Sequence, residues 1–261
     1  MQTTGNGEVR KEERVCAKHG EYMATLFHAP LLMGAWIECG CPLCEQERED
    51  AEKARDAQER EDRAKRDAEQ FFAIRGIPLR YRDKTLDDIM TETPAQEEVK
   101  RMIAEYLRDQ SEISKNGKSL IFYGQHGTGK THIATSIIKA WDGLGYYISA
   151  REYTRLLRET YSRGSAQTES DIIGRFDGYD ILAIDEIGKQ FATENERYAI
   201  FDIINQRYND LKPTILISNM NLSDIEDFLG SETVDRLKEN GGQALLFEGN
   251  SYRRNTTENI Y

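Results

Sequence analysis

No run in the sequence reaches the roughly 18 apolar residues that a bilayer-spanning helix needs. Its opening segment, MQTTGNGEVRKEERV, lacks the apolar core that a secretory signal carries. Basic charge is not in surplus: 35 Lys+Arg against 46 Asp+Glu give a formal net charge of −11. That balance excludes a surface coated in nucleic-acid-binding charge and confines any such site to a local basic or aromatic patch. Internal repeats are absent, and cysteine is scarce, all four falling between Cys16 and Cys44 beside His19. Together these absences predict a soluble, cytoplasmic protein without membrane contact. In a reducing compartment clustered cysteines serve as ligands more readily than as disulfides.

What is present divides into segments. Residues 45–70, EQEREDAEKARDAQEREDRAKRDAEQ, hold no glycine or proline and hardly an apolar side chain beyond alanine. Strong helix formers with mixed charges at i,i+4 predict a solvated helix that acts as a spacer. No apolar a/d series supports a coiled coil. FFAIRGIPLRY then restores apolar and aromatic residues, as a linker that docks on the next domain does. Thr93, Pro94 and Gln96 spell a capping box with proline at the first helical position, and Met102, Ile103, Tyr106 and Leu107 supply that helix's apolar face. From residue 118, the apolar runs SLIFY, YYIS, DILAID, TILIS and ALLFE alternate with helical stretches, clearest at 130–144, 199–209 and 231–238. Five buried strands alternating with helices predict an α/β fold with a five-stranded parallel sheet covered on both faces.

GQHGTGKT at 124–131 matches the phosphate-loop pattern, with a strand before it and a helix after it. Gly124, Gly127 and Gly129 let backbone N–H groups, including those of Thr128 and His132, wrap an anion at a helix N-terminus. Lys130 reaches the β- and γ-phosphates of ATP, and the Thr131 hydroxyl binds Mg2+. At the end of the DILAID strand, Asp185 suits a Mg2+ partner, and Glu186 suits a base that orients and deprotonates water, the requirement of hydrolysis. Asn219, ending TILIS one helix-and-strand unit later, suits contact with both the water and the γ-phosphate.

The cysteine window reads as a zinc (Zn2+) site: Cys16-x-x-His19 and Cys41-x-x-Cys44 are two close pairs separated by a loop. Gly20 and Pro42 fall in the expected turns, and EYMATLF and AWIEC are expected strands of a small ribbon-like unit. Such a module needs a staple, its own core being too small. Cys39 is an alternative to Cys41, and His28 a weaker alternative ligand.

The phosphate loop, the Asp-Glu strand and the sensor Asn together resemble the AAA+ P-loop NTPases. LAIDEIG, SNM, GIPLRY and the late SYR are similar more narrowly to the DnaC/DnaI-type loaders of replicative helicases and to the IstB ATPases, over roughly residue 71 to the end. The resemblance implies a trans-acting arginine at Arg236, in VDRL, that reaches the ATP of a neighbouring subunit in an ATP-dependent homo-oligomer. It implies a second sensor at Arg253, beside Arg254, with a reduced lid after it. It also implies a single-stranded DNA contact at Tyr161, flanked by Arg158 and Arg163. The implied organisation is a zinc-binding partner-interaction module at 1–46, a charged helical linker at 47–75 and an AAA+ ATPase domain at 76–261. The implied function is loading of a DnaB-type hexameric helicase onto single-stranded DNA, with ATP hydrolysis driving release. DnaI-type loaders use a zinc-containing N-terminal domain to grip the helicase, whereas DnaC-type loaders lack the cysteines, so the chain is mixed in character. The alternatives are an IstB-like ATPase serving a transposase and a helicase-binding adaptor switched by ATP.

Overall fold

The computed structural model describes residues 9–29, 35–38, 40–162, 164–188, 194–249 and 251–252. The chain divides into two compact units, Met1–Glu69 and Gln70–Tyr261.

In the first unit, β1 (Val9–Cys16), β2 (Gly20–Ala29) and β3 (Ala35–Glu38) form an antiparallel sheet in that order. Gly20 closes the first hairpin opposite Cys16, at a φ of 78° that only glycine adopts without cost. The sequence predicted β2 and β3 but not β1, whose VRKEERVC has no period-two alternation and buries no side chain. The helix α1 (Pro42–Ala73) starts with Pro42 at its first position, so Cys44 lies in the first helical turn and Pro42 is a helix start where a knuckle turn was expected. None of the 32 residues of α1 is buried. It is laced by i,i+4 pairs such as Lys65–Glu61 at 2.7 Å and Lys53–Glu49 at 3.7 Å. Exposed pairs of this kind contribute about 0.3–0.5 kcal/mol each.

The second unit opens with α2 (Pro94–Arg108), where Thr93 and Gln96 form the expected capping box, followed by α3 (Gln110–Asn116). Then β4 (Leu120–Gly124), α4 (Lys130–Ala140), β5 (Gly145–Ser149), α5 (Ala150–Thr160), α6 (Glu169–Asp177) and β6 (Ile181–Ile187) follow. The chain continues through α7 (Glu194–Asn209), β7 (Thr214–Ser218), α8 (Leu222–Leu229), α9 (Ser231–Lys238) and β8 (Gln243–Phe247). The helix expected over 130–144 stops at Ala140, where Trp141 turns to extended backbone (ψ 133°), and the Leu144 N–H then donates to the Asp180 carboxylate (2.7 Å) on the way into β5. The helix expected from 199 starts earlier, at Glu194. Helices α5, α6 and α8 fill the other connections between strands, where helical stretches were expected without bounds.

The five parallel strands run β5-β6-β7-β4-β8. Alternation along β6 sends Ile181 and Ala183 to the face covered by α2 and α4, and Leu182 and Ile184 to the face covered by α5 through α9. Because β7 lies between β4 and β6, the end of β7 falls between the phosphate loop and the acidic pair.

The fully buried Arg207, at the end of α7, fixes where β6 and β7 begin. Its guanidinium donates to the carbonyls of Phe176 (2.9 Å), Asp177 (3.1 Å), Tyr179 (2.8 Å) and Pro213 (2.8 Å), and to the Thr214 hydroxyl (3.1 Å). Burial draws its pKa down to about 10. Arg207→Met keeps the bulk and removes every donor, leaving these carbonyls without it. We expect a loss on the order of 3 kcal/mol, read as a lowered midpoint in urea denaturation; an unmoved midpoint would show that the carbonyls find other partners.

Candidate functional site

The loop between β4 and α4 turns at Gly124, Gly127 and Gly129, all at positive φ. At Gly127 a Cβ would lie 2.1 Å from Ser251 Oγ, so only glycine lets the 251–252 segment cross the loop there. That crossing is held by the Tyr252 N–H on the Gly127 carbonyl (3.0 Å) and by the Tyr252 hydroxyl on the Met90 carbonyl (2.8 Å). Gly129 caps α4 without a side chain, leaving the N–H groups of the first turn to the loop. Lys130, 5% exposed, curls over the loop and donates to the Gly124 (2.8 Å) and Gln125 (2.5 Å) carbonyls, while Thr128 Oγ1 donates to the Gln125 carbonyl (2.7 Å). The His132 ring turns to the Thr85 carbonyl (Nε2 at 2.7 Å), so its side chain ties α4 to the 85 segment, and burial pushes its pKa down.

Opposite the loop, Asp185 Oδ2 accepts from the Thr131 hydroxyl (2.7 Å) and the Tyr147 hydroxyl (2.8 Å), while Oδ1 accepts from the Glu186 N–H (2.6 Å). The pairing of β6 with β7 slips between Ile184 and Ile187, and Glu186 sits at φ 64°. A non-glycine residue held there costs on the order of 1–3 kcal/mol. In a regular strand Asp185 and Glu186 would face opposite sides; the bulge re-aims them so that both line one cavity. That cavity, of about 1180 Å³, is also lined by the phosphate loop, Asn219, the 88–90 segment and Tyr252. Asn219 is exposed just past the end of β7.

Arg236, on α9, is not among the residues lining the cavity. It pairs with Glu232 (2.5 Å), donates to Asn205 Oδ1, and lies 5.5 Å over the Tyr208 ring. Tyr161 caps the C-terminus of α5, is 66% exposed, and donates to Glu169 Oε2 at 3.4 Å. Arg163, Arg253 and Cys39 lie outside the described residues.

In the first unit Cys16, His19, Cys41 and Cys44 converge, with their donor atoms all within 4.8 Å of one another. Cys16 Sγ lies 3.5 Å from Cys44 Sγ and 3.8 Å from His19 Nδ1, which is itself 3.6 Å from Cys41 Sγ and 3.3 Å from Cys44 Sγ. Ligand bonds of roughly 2.0–2.3 Å about a tetrahedral zinc ion fit edges of this length, and the three-sulfur, one-nitrogen set is compatible with zinc. The Lys18 and His19 backbone N–H groups draw the Cys16 thiol down to about 6, whereas its hydrogen bond to Cys16, with burial, lifts Cys44 to about 11. His19 turns its other nitrogen to Glu47 (3.1 Å), the outer partner that fixes a ligand imidazole. His28 instead lies beside Trp36, its ring tilted against the indole at 5.2 Å.

Tyr147 at the acidic pair and Tyr252 across the loop were not legible in the sequence. In each case the partner comes from a distant segment.

A parallel sheet in this strand order, with phosphate loop, acidic pair and Asn219 at one cavity, defines an AAA+ P-loop NTPase fold. The chain belongs to the family of IstB-like ATP binding proteins, whose pattern matches residues 53–259; Cys16 to Cys44 lie outside that match. The replicative helicase loader DnaC of Escherichia coli K12 is 27% identical over 208 residues, covering 78% of this chain and 83% of that one. The crystal structure of the DnaC helicase loader superposes with a TM-score of 0.59 at 24% identity, over 66% of this chain and all of that one. The crystal structure of DnaI gives 0.55 at 17%, over 66% and 94%. Among the described residues no helix is long and apolar enough to cross a membrane.

Proposed function

We propose that the protein is an ATP-hydrolysing loader that binds a hexameric, DnaB-type replicative helicase and places it on single-stranded DNA. The observation that carries hydrolysis is the bulge at Asp185–Glu186, which turns both carboxylates to the cavity that holds the phosphate loop. Loading rests on relatives that carry that role in their names. In this reading Lys130 leaves the loop carbonyls for phosphate oxygens, and the N–H groups of the first turn of α4 hold the β-phosphate. Thr131 and Asp185 hold Mg2+, which when bound neutralises phosphate charge. Glu186 takes a proton from the attacking water, and Asn219 orients that water against the γ-phosphate. Arg236, turned away from its own cavity, acts in trans at the site of a neighbouring subunit, and Arg253 acts as the second sensor. Tyr161 stacks on unpaired bases with Arg163 beside it. The zinc module of Cys16, His19, Cys41 and Cys44 grips the helicase, residues 47–75 tether it, and residues 76–261 form the motor, in the cytoplasm.

The test is gel filtration of the purified chain with a DnaB-type hexamer, ATP and circular single-stranded DNA. Co-elution with the hexamer and transfer of the helicase to the circle are expected. No association with the helicase, together with association with a transposase, would replace this reading by the transposase-helper alternative.

A further inference from the structure

Tyr147 has two ends with different partners. It lies on β5, the edge strand of the sheet, and its backbone N–H donates to the Arg75 carbonyl at 2.9 Å. The segment directly after α1 is thus laid along the sheet's edge. Gly76 fits there only because it lacks a side chain: a Cβ would sit 2.2 Å from the Tyr147 carbonyl oxygen and 2.9 Å from the Tyr146 ring, at a φ of 65°. Arg75 adds a bond from its guanidinium to the Gly143 carbonyl (3.1 Å) and lies 4.0 Å over the Phe71 ring. At its other end the Tyr147 hydroxyl donates to Asp185 Oδ2 at 2.8 Å. Tyr147 does not line the cavity, so its reach toward the nucleotide runs only through Asp185.

We propose that Tyr147 is a positioning residue for the magnesium carboxylate Asp185 and links that carboxylate to the Arg75–Gly76 junction. The proposal rests on Asp185 being a Mg2+ partner. Thr131 can keep donating its proton to Oδ2 while its lone pair faces the metal. Tyr147 is then the donor to that oxygen that owes nothing to the phosphate loop. Removing it frees the carboxylate to rotate, as losing an outer partner does at other metal sites. A displaced junction would move the same hydroxyl, because both bonds come from one residue on one edge strand.

The test is a Mg2+ titration of the binding of a fluorescent ATP analogue, a readout independent of turnover. In Tyr147→Phe, which keeps the ring packed, analogue affinity in EDTA should match wild type. The Mg2+ concentration giving half of the metal-dependent gain should rise about tenfold. Gly76→Ala, which alters no cavity side chain, should raise it in the same direction, and should add nothing in the Tyr147→Phe background. A Mg2+-dependent wild type whose midpoint Tyr147→Phe leaves in place, even with a lower melting temperature, would overturn the positioning role and leave Asp185 as assigned. Gly76→Ala that melts lower with an unmoved midpoint would overturn the junction link. A wild type whose binding ignores Mg2+ would overturn the role of Asp185 and the proposal together.

Discussion

Glu186→Gln is expected to bind ATP as wild type does and to hydrolyse it between about a hundred and ten thousand times more slowly, the usual loss when a general base is removed. Glutamine has the same branching at Cβ, so the strained φ of 64° and the β6 bulge should survive the change. What is lost is the carboxylate that can accept a proton. Phosphate release checks the rate, and equilibrium binding of labelled ATP checks that the site is intact. In the loader reading, this variant should stay attached to the helicase after ATP addition, because release is assigned to hydrolysis. Turnover within tenfold of wild type would remove Glu186 as the base.

Loss of the metal is expected to have the other large effect. The described apolar residues buried in the first unit are only Ala24, Leu26 and Cys41, too few to hold a three-stranded sheet by burial. Structural zinc supplies apparent free energies of about 10–16 kcal/mol in small metal-dependent modules. Cys44→Ser should reduce zinc from about one per chain to near none and unfold β1 to β3. ATP binding should stay as it was, its residues all belonging to the second unit. Metal analysis, circular dichroism and a helicase pull-down with and without chelator read the three consequences. Helicase binding that survives metal loss would separate the partner grip from the cluster.

The second unit was the legible part of the sequence. Its strands are continuous apolar runs, and the phosphate loop, Asp185 and Asn219 are contiguous with them, so chemistry and local structure share the same letters. The capping box at Thr93 was legible for the same reason: Thr93, Pro94 and Gln96 act within one turn. Strand order was not, since it arises from which apolar edges meet, and neither was the placement of Asn219 between loop and acidic pair. The bulge at Glu186 was hidden because a register slip needs a partner strand. Arg207 reads as one more charge at a helix end; only the fold gathers five acceptors around it. Cys41 was named from its Cys-x-x-Cys spacing to Cys44, with Cys39, which lies outside the described residues, as the alternative. β1 escaped notice because its residues alternate charge with charge.

The helix α1, with no buried residue, carries a consequence for how the chain tolerates time and change. With no side chain buried, its backbone bonds are guarded only by a local helix–coil equilibrium and by exposed ion pairs. Its amides should trade hydrogen with solvent by fraying, at rates indifferent to the global unfolding of the sheets. Apart from Cys44 and Glu47 at the cluster and Phe71 and Phe72 at its other end, its residues answer to propensity and charge balance, so the stretch between can drift in sequence while keeping its length of roughly 1.5 Å per residue.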